Sequence, residues 1–175
     1  MYLLDANVFI SAKRRFYRFK VVPGFWDWLH QANMSREVAS VVSVQKELEA
    51  GGDDLTEWVK HHKSIFEIPA RKFVESSTEL AQWVVKGEYT QVAQHQFLAA
   101  ADFELVAQAL ALGATVVTEE RPQPGSRKRV LISDACDAMG VQWTDPFTML
   151  ERCGAKFVLA PESDASLFGS MSCPK

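Results

Sequence analysis

Asp5 closes the short apolar run MYLL and stands two residues before Asn7, which is followed by a second apolar stretch, VFI. Other acids sit beside apolar segments in a similar way. Glu47 lies about one turn into the stretch after VASVV, Asp102 heads ADFELVAQAL, and Glu119 and Glu120 follow TVVT. Carboxylates brought together repel, so a cluster of them persists only with protons or cations. An all-oxygen donor set suits hard divalent ions, Mg²⁺ or Mn²⁺. Two such ions about 4 Å apart can activate a water and stabilise the leaving oxygen of a phosphodiester. Together these acids therefore favour metal-dependent hydrolysis of a phosphate ester. Singly, each has a plainer role: Asp102 as a helix cap, Glu47 as a surface helix residue, Glu119-Glu120 as a solvated turn. Asp5 fits none of these fully, and the weight rests on the joint placement.

Joint placement requires a parallel sheet, because parallel α/β sheets gather ligands beyond the carboxyl ends of their strands. The pattern is one of alternating strands and helices. Strands are expected at residues 1–4, 38–42, 115–118, 130–132 and 156–159. Helices are expected at 7–14, at 25–32 behind Pro23, from a Ser43 cap to the stop at Gly51-Gly52, and again from Asp53-Asp54 through Trp58 and Val59. Residues 70–100 read as mostly helical with a break near Gly87. Asp102 then heads a helix with Leu105, Val106, Ala109 and Leu112 inward, which Gly113 ends, and residues 146–152 form a last helix. This alternation argues for an α/β fold with a parallel sheet flanked by helices. The expected division is one domain over residues 1–159 and a Ser-, Ala-, Gly- and Pro-rich tail over 160–175.

The composition is that of an ordinary globular protein, 47% apolar and 23% charged. No apolar run reaches the roughly 18 residues of a membrane span, and no secretory leader pattern is evident, so a cytoplasmic location is expected. Cys136, Cys153 and Cys173 are too widely spaced to suggest a disulfide framework or a zinc site. Histidines 30, 61, 62 and 95 form no metal-binding motif, and HExxH, GxSxG and Walker patterns are absent. The net charge of −3 hides two basic clusters. KRRFYRFK, carrying Arg14, Arg15 and Arg18, interleaves arginine with aromatics, and Arg127-Lys128-Arg129 forms the second. Such clusters can hold a phosphate backbone and stack bases, and they serve equally as solvated loops with core-plugging aromatics.

YLLDANVFI, SVQKEL, ADFELVAQAL and TVVTEE together resemble the PIN domain. PGFWDWL, KELEAGGDDLTEWVK and VLISDACDAMGV resemble more closely a family of bacterial PIN-like proteins, domain of unknown function 4411, over roughly residues 2–159. The resemblance implies a three-layer α/β/α sandwich around a parallel sheet and a Mg²⁺- or Mn²⁺-dependent ribonuclease. It implies a toxin of a toxin–antitoxin pair, similar to the VapC group, with an antitoxin encoded nearby. Carried over by position, Asp5, Glu47, Asp102 and Glu120 match the family's acidic quartet. Glu120 is preferred to Glu119 because the last acid falls two residues after the strand-ending Thr118. Asn7 and Thr118 match supporting positions. Glutamate replaces the aspartate of many PIN domains, which lengthens the reach to metal.

A haloacid-dehalogenase-type phosphatase would need a second aspartate where Asn7 stands. The other alternative is a non-catalytic PIN-like module that binds RNA or protein. RNA is the expected partner, and a homodimer or antitoxin contact is expected through the tail, with Leu167, Phe168 and Met171 as anchors, or through an aromatic surface near Phe25 and Trp26.

Overall fold

The structure, a computed structural model, describes residues 1–66, 68, 72–123 and 125–158. The tail 160–175, with Cys173, Leu167, Phe168 and Met171, lies outside the described residues. Among the described residues four strands, β1 (Tyr2–Leu4), β2 (Val38–Ala39), β3 (Thr115–Val117) and β4 (Trp143–Thr144), pair in parallel in the order β2-β1-β3-β4. Leu3 aligns with Ala39 on one side and Val116 on the other, and Val117 aligns with Thr144.

Successive residues of a strand point to opposite faces of its sheet. Leu3 and Leu4 are both fully buried, as are Val116 and Val117, so helices cover both faces. The result is a three-layer α/β/α sandwich, as the resemblance implied, around the parallel sheet that the alternation of elements led one to expect. The covering helices are α1 (Ala6–Ser11), α2 (Pro23–Met34), α3 (Val42–Glu49), α4 (Asp54–His61), α5 (Phe73–Lys86), α6 (Gln91–Ala99), α7 (Ala101–Leu112), α8 (Ile132–Met139) and α9 (Pro146–Arg152). A π-helical turn, Ala12–Phe16, extends α1, and a 3₁₀ turn, Lys63–Phe66, follows α4. Gly113 ends α7 in the left-handed conformation (φ 62°) that glycine adopts without strain, and this turns the chain into β3.

Several boundaries differ from the sequence pattern. The strand expected over 38–42 is only Val38–Ala39, because the Ser40 N–H turns to the Ile65 carbonyl (2.7 Å) and Val41 becomes the N-cap of α3. Ser43 therefore sits inside α3 and caps nothing. No strand forms at 130–132, where Ile132 opens α8, and residues 156–158 are irregular, with 159 outside the described residues. The fourth strand is instead Trp143–Thr144, which the pattern did not mark. Leu112 is only half-buried. Phe25 and Trp26 are 3% exposed, stacked on Tyr17 and Phe19 respectively, so they form core and not a docking surface. An exposed apolar groove does exist along α5, a cavity of about 600 Å³ lined by Phe73, Val74, Ala81, Val85 and Phe103.

Candidate functional site

Chain order reverses direction across the sheet between β1 and β3. From β1 the chain crosses to β2 on one side, and from β3 it crosses to β4 on the other. In parallel sheets the crevice beyond the carboxyl ends at such a switch point is where ligands bind. The residues that emerge there are Asp5 from β1 and Thr118 from β3.

Asp5 occupies the N-cap position of α1, yet its side chain caps nothing. Its N–H continues the ladder to the Val117 carbonyl (3.0 Å), which fixes the backbone. One carboxylate oxygen accepts from the Thr118 hydroxyl (3.0 Å) and, at 3.4 Å, from the Asn7 amide. The residue is 2% exposed. Burial, then the Asp102 charge, push its carboxyl up from 3.8 to about 7; the Thr118 hydroxyl opposes the shift and Glu120 adds to it.

Asp102 lies in the first turn of α7, whose N-cap position is Ala100 with no side-chain cap. Burial, then Glu120, then Glu47, raise its carboxyl from 3.8 to about 6, against the lowering effect of Arg129. The four acids of the quartet are thus one electrostatic group. Asp5 senses Asp102 and Glu120, and Asp102 senses Glu120 and Glu47.

Glu47 is exposed on α3. The Ser43 hydroxyl, one turn earlier, donates to the Glu104 carboxylate, and this clamps the first turn of α3 to that of α7, which carries Asp102. Glu120 is held by three groups. Its N–H donates to the Thr118 hydroxyl oxygen (3.1 Å), while its carboxylate accepts from the Ile132 N–H (2.7 Å) at the start of α8 and from Arg129 (2.5 Å). Glu119 points elsewhere and accepts from the Ser11 hydroxyl (2.8 Å).

The basic residues fall into two groups. Lys128 and Arg129 line a cavity of about 250 Å³ with Asp102, Gln96 and Phe97. Arg14 lines a small cleft with Glu47, Lys13 and Asp53. Lys13 is paired with Asp53 and Asp54 (2.7 and 2.8 Å), and Arg127 with Glu88. Arg14, Arg15 and Arg18 are exposed, Tyr17 and Phe19 pack against the core, and Phe16 lies edge-on to Phe147.

The donor set is all carboxylate, the donor chemistry that hard cations take; among the described residues Arg129 is the base that bonds to it, with Lys128 in the cavity beside Asp102 and Arg14 in the cleft beside Glu47. Its side chains are not drawn together as ligands: among the described residues no three His, Cys, Asp or Glu groups stand in a metal-holding arrangement. Two features escaped the sequence reading. One is the engagement of Glu120 by Arg129, nine residues on. The other is Asp145 at the end of β4, an acid that proves to be a helix cap, accepting from the N–H groups of Phe147 and Thr148 and the Thr148 hydroxyl. No described helix is long and apolar enough to cross a membrane.

The family model described as "Domain of unknown function (DUF4411)" matches residues 2–157. No curated protein and no solved structure matches the chain.

Proposed function

We propose that this chain, which belongs to the DUF4411 family, is a PIN-like, Mg²⁺- or Mn²⁺-dependent ribonuclease that hydrolyses RNA phosphodiester bonds. One observation carries the reading. At the carboxyl edge of the sheet the buried Asp5, hydrogen-bonded to Thr118, and the half-buried Asp102 are both raised toward neutral values, Asp5 by burial, Asp102 and Glu120, and Asp102 by burial, Glu120 and Glu47. A fold tolerates such crowding where the charge is used.

The groups that would hold the cation are Asp5, Asp102, Glu47 and Glu120. A bound hard cation supplies an activated water and a positive charge for the leaving oxygen. The chain's own residues do the rest. Thr118 and Asn7 fix the orientation of Asp5, and the Ser43–Glu104 bond ties α3, which carries Glu47, to the first turn of α7, which carries Asp102. Lys128 and Arg129 offer positive charge beside Asp102, where an RNA phosphate would otherwise meet only carboxylates. In this reading the protein acts in the cytoplasm as the toxin of a toxin–antitoxin pair, silenced by a protein encoded nearby.

A non-catalytic RNA-binding or protein-interaction module is the second reading, and the Arg129–Glu120 pair favours it, since that acid is already satisfied. End-labelled RNA incubated with the purified protein and Mn²⁺ separates the two. A nuclease gives cleavage that EDTA and Asp5→Asn abolish. Intact RNA, or equal cleavage by the Asp5→Asn protein, rejects the first reading.

A further inference from the structure

Among the described residues, Glu120 is the one acid of the quartet whose carboxylate forms an ion pair with a base of the chain itself. Arg129 Nη2 lies 2.5 Å from Oε1, while Oε2 accepts from the Ile132 N–H at 2.7 Å. The glutamate side chain is 11% exposed, but that of Arg129 is 64% exposed, on the irregular segment before α8. The same guanidinium also lowers the Asp102 carboxyl and shares its cavity. Arg129 therefore supplies, from a largely exposed side chain, the positive charge that a divalent cation would bring. Lys128 lines the same cavity without a bond to Glu120.

We propose that Arg129 is a positioning residue that latches Glu120 and competes with the divalent cation for it, leaving the glutamate when it turns to a phosphate of the substrate. This inference rests on the metal-site reading and adds an order to it: the site binds cation weakly while Arg129 is seated and completes itself when Arg129 is drawn away. A single arginine thereby couples cation affinity to the presence of a polyanion.

The test is calorimetric titration of the full chain with Mn²⁺ alone, read as affinity and not as activity. Arg129→Gln is expected to bind Mn²⁺ at least roughly fivefold more tightly than the parent, the equivalent of a partly exposed ion pair of about 1 kcal/mol. Lys128→Gln removes the same charge from the same cavity and should change affinity less. In a Glu120→Gln background the gain from Arg129→Gln should fall to that of Lys128→Gln, the share owed to charge near Asp102 alone. Equal binding by parent and Arg129→Gln, or an equal gain in Lys128→Gln, overturns the latch while leaving the metal site standing. Absence of Mn²⁺ binding in both parent and Arg129→Gln overturns latch and metal site together.

Discussion

Asp5→Asn should make the protein more stable, and only above a certain pH. The Asp5 carboxyl moves from 3.8 to about 7 in the folded chain. A raised carboxyl binds its proton more tightly folded than unfolded, so below the unfolded value both states are protonated and nothing is lost. Between the two values stability falls as pH rises, and above the folded value the whole penalty is present. Three units at about 1.4 kcal/mol each put the cost of ionised Asp5 near 4 kcal/mol at pH 8. Asparagine removes that cost, but its amide cannot accept from both Thr118 and Asn7 as well as a carboxylate does, which returns roughly 1 kcal/mol. The net gain of about 2–3 kcal/mol corresponds to roughly 5–10 °C in Tm for a chain of this size. At pH 5 only about 1.2 of those three units still count, roughly 1.6 kcal/mol, so the gain should shrink to about half a kcal/mol. Thermal unfolding of both proteins in EDTA at pH 5 and pH 8 measures this. A variant no more stable than the parent at pH 8, or stabilised equally at both pH values, would refute the claim that Asp5 is a crowded, buried charge.

Mn²⁺ should raise the Tm of the parent at pH 8, by mass action on the folded state, and leave Asp5→Asn and Asp102→Asn nearly unmoved; equal shifts in all three would place the cation elsewhere. Charge reversal at Arg14 and Arg15 should weaken RNA binding and lower the salt slope by about one unit per lost phosphate contact, and an unchanged slope would remove these residues from the RNA path. Phe9, 1% exposed and packed on Phe66 and Trp58, should cost about 3–5 kcal/mol on truncation to alanine, measured by urea unfolding, and a loss under 1 kcal/mol would contradict its place in the core.

The elements around the acids were legible because local signals and the global fold agree there. β1, the restart of a helix at Asp53-Asp54, the Gly87 break, α7 with its Gly113 stop, and Pro146 at the start of α9 all follow from patterning and cap chemistry. β4 escaped because two residues between Gln142 and Asp145 carry no apolar run, and its pairing with β3 is entirely long-range. Residues 130–132 look like a strand because Val130, Leu131 and Ile132 are all buried, yet the Ile132 N–H is taken by Glu120 and the chain turns into a helix. Phe25 and Trp26 follow the exposed basic stretch closely in sequence, and tertiary packing makes them interior, with Tyr17 and Phe157 against Phe25 and with Phe19 and Trp58 against Trp26. Asp5 and Asp102 stand out in the sequence as candidates by their places at a strand end and a helix start, and the structure brings them within electrostatic reach of each other. The Arg129–Glu120 pair could not, since nothing in sequence spacing says which of several bases a carboxylate will meet.

The most direct test of the central claim, that these acids exist to hold a hard cation, is the proton balance of Mn²⁺ binding. Calorimetric titrations at pH 6.5 in buffers of different ionisation enthalpy report both affinity and protons released. An Asp5 carboxyl near 7 and an Asp102 carboxyl near 6 must shed protons to ligate, so binding should release on the order of one proton at pH 6.5 and almost none at pH 8.5, with affinity rising across that interval. Binding with no proton release at pH 6.5, or no binding at either pH, would contradict the account.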